Sequence, residues 1–409
     1  MTDAVLCVDI GTSSLKAAYI SFKGEVIAFA RISIEKANES NRWLFALKQG
    51  ISELNATICG NIHKEKSQNQ NILPKIKAIS ISGNGPSLAN SKGAFLWNES
   101  LENLDLSKLP KETAGSIFAP RIFYVREKLA TLLTSSEGLF SVPEFLVYQL
   151  TDRAYTLLPN ERFKKAYWSE ELLKSMNIPS NVFPPFLELG NASGTLTEKG
   201  KKSLGVTGEQ VEGCVPVFCG GPDFAIALIG TNTLSEGKIC DRAGTSEGLN
   251  LCTNKPLISP EVRTLPSPIN PLWNASVIIP DTGSRFATWK QSSIYKDVSY
   301  EECVNDLLQN KKSFGYELMI NIALEVKNAY KILKSESEKN NIKLYEKICC
   351  TGGQAKNQSW LKLKSEIVEV PFYVQKCADS ELMGNAAVAL FGLGLYPSIA
   401  KAAEDLTKS

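Results

Sequence analysis

Two stretches of this 409-residue chain place the same chemistry-bearing residues in the same order. Asp9-Ile10-Gly11-Thr12-Ser13 and Asp241-Arg242-Ala243-Gly244-Thr245-Ser246 each set a carboxylate just ahead of a Gly-Thr-Ser turn. A tight turn of this kind between strands offers several backbone N–H groups and two hydroxyls to one small region. That is the donor set an anionic phosphate needs. One such turn alone reads equally well as a plain hairpin. Two of them predict related halves facing each other across a cleft, able to clamp a polyphosphate from both sides. Asp223 follows Cys219-Gly220-Gly221-Pro222, where an apolar strand turns into a helix. A carboxylate there can be a general base for a hydroxyl or a helix N-cap. The glycines before it would let backbone and ligand approach closely. Cys350-Thr351-Gly352-Gly353-Gln354-Ala355-Lys356-Asn357 reads as a strand feeding a glycine turn and a helix, with room for a flat ring on the backbone.

The rest of the inventory narrows the chemistry. The single histidine, His63, lies in the polar stretch NIHKEKSQNQN and reads as part of a surface loop. Histidine-based triads and HExxH zinc sites are therefore excluded, and acid–base work falls to carboxylates, lysine or tyrosine. The ten cysteines form no CxxC pair, which argues against zinc, redox and cluster sites. No GxxxxGK[ST] loop occurs, and Gly83-Asn84-Gly85 lacks the third small residue of a dinucleotide fingerprint. Lysine and arginine exceed aspartate and glutamate by only +2, unlike a nucleic-acid binder. No apolar run approaches the length of a membrane span, and MTDAVLCVDIGTSS has no basic segment before its apolar run. The reading is a cytoplasmic, reduced globular chain, with no nucleic-acid or membrane partner and a homodimer left open.

The elements that must position these residues follow from hydrophobic periodicity. Residues 3–10, 15–22 and 25–34 predict a β-meander, followed by a helix over 43–58 and a polar loop over 60–73. Residues 75–83 predict a strand entering a glycine turn. Helices are expected over 121–133, 143–150 and 169–176. A strand over 215–222 feeds a helix from Asp223, and 238–252 reads as strand, tight turn, strand. The proline-rich stretch 255–285 is expected to be irregular. Residues 299–335, 380–393 and 397–406 are expected to be helical. The echo of the two Gly-Thr-Ser turns sets a boundary near residue 225, dividing the chain into 1–224 and 225–409.

Taken in order, these motifs resemble the FGGY carbohydrate kinases, especially xylulokinase-like members of the actin/hexokinase/Hsp70 superfamily. The match is carried by VDIGTSSLKAAYI, SISGNGP, WNESLEN, VPEFLVYQLT with YWSEELLKSMNIP, GCVPVFCGGPDFAIALIG, CDRAGTSEGLN, TGGQAKNQSWLKLKSEIVEVPFY and ELMGNAAVALFGLG. The resemblance implies an α/β fold of two ribonuclease-H-like domains, the first on the acceptor side and the second on the ATP side. It implies ATP-dependent phosphorylation of a sugar or polyol hydroxyl, with Asp223 as base. Asp9 would hold Mg²⁺ through water, and Gly11, Thr12, Ser13 and Lys16 would serve phosphate on one side. Gly244, Thr245 and Ser246 would serve it on the other, and Gly352, Gly353 and Asn357 would border adenosine. Asn84, Gly85 and Glu99 would line the acceptor site. The family's Trp-Asn-Asp-x-Arg turn reads Trp97-Asn98-Glu99-Ser100-Leu101 here, so one charged acceptor contact is lost. A relative that binds nucleotide without kinase activity is the alternative reading.

Overall fold

The apolar run near the start of the chain becomes β1 (Asp3–Ile10), buried along nearly its whole length. With β2 (Ser14–Ser21) and β3 (Val26–Ser33) it forms the expected antiparallel meander. Helix α1 (Arg42–Glu65) follows, and β4 (Lys75–Gly83) returns parallel to β1. This computed structural model describes residues 2–34, 41–65, 73–113, 115–206 and 208–408. A short hairpin, β5 (Leu88–Asn90) and β6 (Gly93–Phe95), leads to α2 (Ala119–Lys128) and α3 (Val142–Thr151). Then come β7 (Thr156–Leu158), α4 (Glu170–Ser175), β8 (Phe186–Glu188), β9 (Gly194–Thr195), α5 (Glu198–Leu204), β10 (Pro216–Pro222) and α6 (Asp223–Gly230). The main sheet has the order β3-β2-β1-β4-β10-β9.

The second half repeats that plan. β11 (Ile239–Ala243) and β12 (Glu247–Thr253) form the second Gly-Thr-Ser hairpin. They are followed by β13 (Arg263–Pro266), β14 (Trp273–Ile279), α7 (Thr282–Gln291), α8 (Tyr300–Gln309), α9 (Phe314–Lys339), β15 (Ile348–Thr351), α10 (Gln358–Val368) and β16 (Phe372–Val374). The sheet order is β13-β14-β12-β11-β15-β16. In both sheets a meander is extended by two parallel strands, so the echo in sequence is an echo in topology. Val326, Ala329 and Leu333 of α9 cover Ile239, Leu249, Leu251 and Ala275 of this sheet. A second cluster joins Phe286 of α7, Cys303 and Leu307 of α8, and Met319 of α9. The chain ends with α11 (Ser380–Gly392) and α12 (Ile399–Thr407).

By contacts the chain forms two units, Met1–Ile226 with Glu381–Leu406, and Ala227–Ser380 with Thr407–Ser409. Most of α11 and α12, assigned by sequence to the second half, therefore pack with the first. Two further expectations are corrected. Helix α1 continues to Glu65, so the backbone of His63 is helical rather than in a loop. Residues 66–72 of that expected loop lie outside the described residues. Residues 255–285 are not irregular, because they contain β13, β14 and the start of α7. Prolines obscured these strands. Pro266 ends β13 at the outer edge of the sheet, the position where a strand tolerates a residue with no N–H.

Helix α3 is fixed by a buried carboxylate. Ser141 and Glu144 form a capping box, with the Ser141 N–H donating to Glu144 at 2.7 Å. The other oxygen of Glu144 accepts the Leu157 N–H at 2.8 Å and so ties α3 to β7. Burial outweighs these bonds and pushes the Glu144 carboxyl up from 4.5 to about 7. Between those values the unfolded chain has lost a proton that the folded chain keeps, so this group's contribution to stability falls as pH rises. The stability of wild type relative to Glu144→Gln is expected to fall by about 2–3 kcal/mol between about pH 4.5 and 7. Thermal unfolding of both proteins across that range measures it, and a constant difference would remove the buried-carboxyl account.

Candidate functional site

The first unit gathers the residues expected on the acceptor side and in the first Gly-Thr-Ser turn. Strand register sets Asp9 of β1 beside Lys16 of β2 and Ser82 of β4. Asp9 is buried, and its Oδ1 accepts the Ser82 hydroxyl at 2.9 Å. Lys16 Nζ lies 3.5 Å from Asp9 Oδ2 and 3.7 Å from Glu381 Oε2, which reaches the site from α11. Burial raises the Asp9 carboxyl to about 7, Lys16 opposes the rise, and the charges of Glu381 and Asp223 add to it. Asp223 is thus electrostatically within reach of Asp9 at the first turn of α6.

The turn at Gly11 closes on itself, with the Gly11 N–H donating to the Ser14 carbonyl at 2.9 Å. Gly11 therefore shapes the turn, and Thr12 and Ser13 form its tip. Asn84 leaves β4 with its N–H on the Ile10 carbonyl at 3.0 Å, and its side-chain amide donates to Thr12 Oγ1 at 3.2 Å. A Cβ on Gly85 would stand 3.3 Å from Pro222, the residue before Asp223. Glu99 is half-buried on a turn held by Arg121, which donates to the carbonyls of Leu96 at 2.6 Å, of Glu99 at 3.3 Å, and of Trp97.

The glycines before Asp223 have a different reason from the one expected. A Cβ on Gly220 would stand 2.3 Å from Asn385 Oδ1, and Gly221, at φ +78°, would meet the Leu157 side chain at 2.3 Å. They admit internal side chains, not a ligand. The register of β10 against β4 shifts at this same place, between Cys219 and Gly221. A bulge there re-aims the residues that follow, Asp223 among them.

In the second unit, Gly244 repeats the closure of Gly11, its N–H donating to the Ser246 carbonyl at 3.0 Å. Gly244 and Thr245 are exposed at the tip and Ser246 is half-buried. Gly352, at φ +95°, crosses this hairpin so closely that a Cβ would lie 2.5 Å from the Ala243 carbonyl oxygen. The two glycine turns therefore touch. Beside them, Gly353 faces open space and Asn357 caps α10 by accepting the Trp360 N–H at 3.0 Å. Gly283, in the first turn of α7, presses on the same loop, and a Cβ there would stand 1.9 Å from the Gly244 carbonyl oxygen. Gly283→Ala must displace the loop and is expected to weaken nucleotide binding roughly tenfold, the scale of an overpacking cost. Calorimetric titration with ATP and with ADP measures it, and unchanged affinity would separate the loop from nucleotide.

The FGGY family of carbohydrate kinases, C-terminal domain, matches residues 309–393. A xylulose kinase of Staphylococcus epidermidis is 23% identical across 99% of this chain and 91% of its own length. The crystal structure of ligand-bound xylulose kinase from Lactobacillus acidophilus aligns at TM-score 0.75 and 16% identity, over 98% of this chain and 92% of that one. Plasmodium falciparum glycerol kinase with ADP aligns at TM-score 0.73 and 16% identity, over 100% and 93%. The chain is thus similar over nearly its whole length to carbohydrate kinases, and its residues 309–393 match the C-terminal domain of the FGGY family. Its fold is the α/β fold of these kinases.

Several residues of this chain were missed by sequence reasoning. Asn385 of α11 bonds within the first unit. Its amide donates to the Val8 carbonyl and to Ser82 Oγ, each at 2.9 Å, and accepts the Ser80 hydroxyl at 3.0 Å. Beneath the second hairpin, Lys364 of α10 is fully buried, 3.2 Å from Asp241 Oδ2 and in contact with Glu247 Oε1. Burial and Asp241 raise the Glu247 carboxyl to about 8. Burial opposes the charge on Lys364, but its two carboxylates hold it above the ordinary lysine range. The available signal was Asp241 and Glu247 inside apolar strands, which call for a buried cation; nothing local marks Lys364 as that cation.

Proposed function

We propose that this carbohydrate kinase transfers the γ-phosphoryl group of ATP to a hydroxyl of a sugar or polyol, with Asp223 as the base. The observation that carries this reading is the convergence in the first unit of Asp223, the buried Asp9–Lys16 pair, the Thr12 tip and the Asn84–Gly85 turn. Asp223 takes the hydroxyl proton as the acceptor oxygen forms its bond to Pγ and the bond from Pγ to the β–γ bridging oxygen breaks, leaving ADP. Lys16, Thr12 and Ser13 offer charge and hydrogen bonds to the phosphate in transit. Catalysis of this kind rests on positioning and charge neutralisation. Gly244, Thr245 and Ser246 serve the remaining phosphates, and Gly352, Gly353 and Asn357 border adenosine.

Among the described residues no set of three histidine, cysteine, aspartate or glutamate side chains forms a metal cage. Mg²⁺ does not need one, since it is commonly held by one or two carboxylates, water and substrate phosphates. A buried carboxylate with one oxygen on Ser82 and the other toward Lys16 fits that role, so Asp9 would hold Mg²⁺. When bound, the ion neutralises charge on the phosphates.

Glu99 would meet the acceptor with a reach one methylene longer than aspartate, and Leu101 supplies no charge. Both features point to an acceptor that differs from the family pattern. ADP release from Mg·ATP, measured against a panel of ketoses, aldoses and polyols, tests the reading. Stimulation by one acceptor class supports it. ATP binding without stimulation by any acceptor would favour a nucleotide-binding relative that has lost the reaction.

A further inference from the structure

Thr12 carries a hydroxyl with one proton and two lone pairs. Both lone pairs are occupied. Asn84 Nδ2 donates to Thr12 Oγ1 at 3.2 Å, and Trp97 Nε1 donates to the same atom at 3.1 Å. An indole N–H can only donate, so this contact has one possible polarity. The Thr12 hydroxyl is left with one capability, to donate its proton outward from the tip of the β1–β2 turn. An acceptor placed there completes its hydrogen bonding. A phosphate oxygen is such an acceptor, and a charged one.

The Trp97 backbone is itself held at two points. Its backbone N–H donates to the buried Ser87 hydroxyl at 3.0 Å. Its carbonyl accepts from Arg121. The Arg121 guanidinium lies over the Phe95 ring at 4.9 Å, and Phe95 stacks on Tyr124 at 4.4 Å. The indole is thus the end of a braced turn that also carries Glu99, two residues on.

We propose that Trp97 is a positioning residue for phosphoryl transfer, its indole N–H committing the Thr12 hydroxyl to donate to a phosphate oxygen of the nucleotide. The proposal rests on the kinase reading above and adds a residue to it. It also links the acceptor-side turn to the first phosphate turn through one hydrogen bond, so the two sites keep a fixed geometry.

The test is a double-mutant cycle of Trp97→Phe and Thr12→Val. Phenylalanine keeps an aromatic ring and deletes the donor, and valine keeps the shape of threonine and deletes the hydroxyl. Trp97→Phe is expected to lower kcat roughly tenfold, the scale of one hydrogen bond aligned in the transition state. The KM for the acceptor and the thermal midpoint should change little. In the Thr12→Val background the same substitution should have almost no further effect. Equal losses in both backgrounds would overturn the proposal, as would a change confined to acceptor KM or to thermal stability.

A second readout needs no turnover. The affinity of a non-hydrolysable ATP analogue relative to ADP, measured by calorimetry, should fall several-fold in Trp97→Phe and in Thr12→Val alike. If wild type binds nucleotide but no acceptor stimulates ADP release, the kinase reading fails and this ratio still decides the role of Trp97. An unchanged ratio in Trp97→Phe, or the absence of nucleotide binding in wild type, overturns the proposal.

Discussion

Asp223→Asn is expected to lower acceptor-stimulated ADP release by roughly 10²–10⁴, the usual contribution of a positioned base, with nucleotide affinity nearly unchanged. The substitution separates the two roles open to a carboxylate at this place. Asp223 stands in the first turn of α6, where acidic side chains favour the helix dipole and can cap its N–H groups. Asparagine caps a helix about as well as aspartate, so a capping role survives the change. Asparagine cannot accept the acceptor's proton, so a base role does not. Coupled assays on a responsive acceptor, with calorimetry for ATP and an unfolding curve for each protein, read all three consequences. Full turnover in Asp223→Asn would reduce this residue to a helix cap.

Lys364→Met should have the largest effect on stability. The lysine, Asp241 and Glu247 have no solvent-exposed side-chain surface. Removing this cation leaves two carboxyl groups buried beneath the second Gly-Thr-Ser hairpin without the partner they share. Breaking a buried ion pair from one side costs about 3–5 kcal/mol. Denaturant unfolding should show a loss of that size. Adding Asp241→Asn and Glu247→Gln to Lys364→Met removes the charges left behind and should restore most of it. A loss that persists in the triple variant would assign the effect to packing of the lysine stem, not to its charge.

The legibility of this chain was uneven for physical reasons. Strands β1, β2 and β4 were plain because they are apolar along their length and bounded by glycine turns. The Gly-Thr-Ser hairpins were plain because the same residues recur at the same place in two sheets of like order. Strands β13 and β14 were hidden by Pro266, Pro268 and Pro271, which punctuate an edge that tolerates them. The neighbours of Asp9 divide in the same way. Lys16 lies across a hairpin and could be read from spacing. Glu381 and Asn385 arrive from α11, far along the chain, and no local pattern announces them. Gly220 and Gly221 were visible as glycines, but their reason was not, because it lies in the side chains of Asn385 and Leu157. Lys364 looked like any helix-surface lysine until the sheet beneath it supplied Asp241 and Glu247.

The hydrogen bonds of Asn385 to Val8 and Ser82 span 377 and 303 residues of chain. On a ribosome, the strand bearing Asp9 is made long before this partner. Every strand of this sheet is made by Pro222, but Val8 and Ser82 wait for Asn385 until α11 follows. Contacts of such long sequence separation slow folding. Asp9, through Ser82, is thus braced by a helix made long after the strands of its own sheet, and a chain cut before α11 would keep both Gly-Thr-Ser turns and lack these bonds.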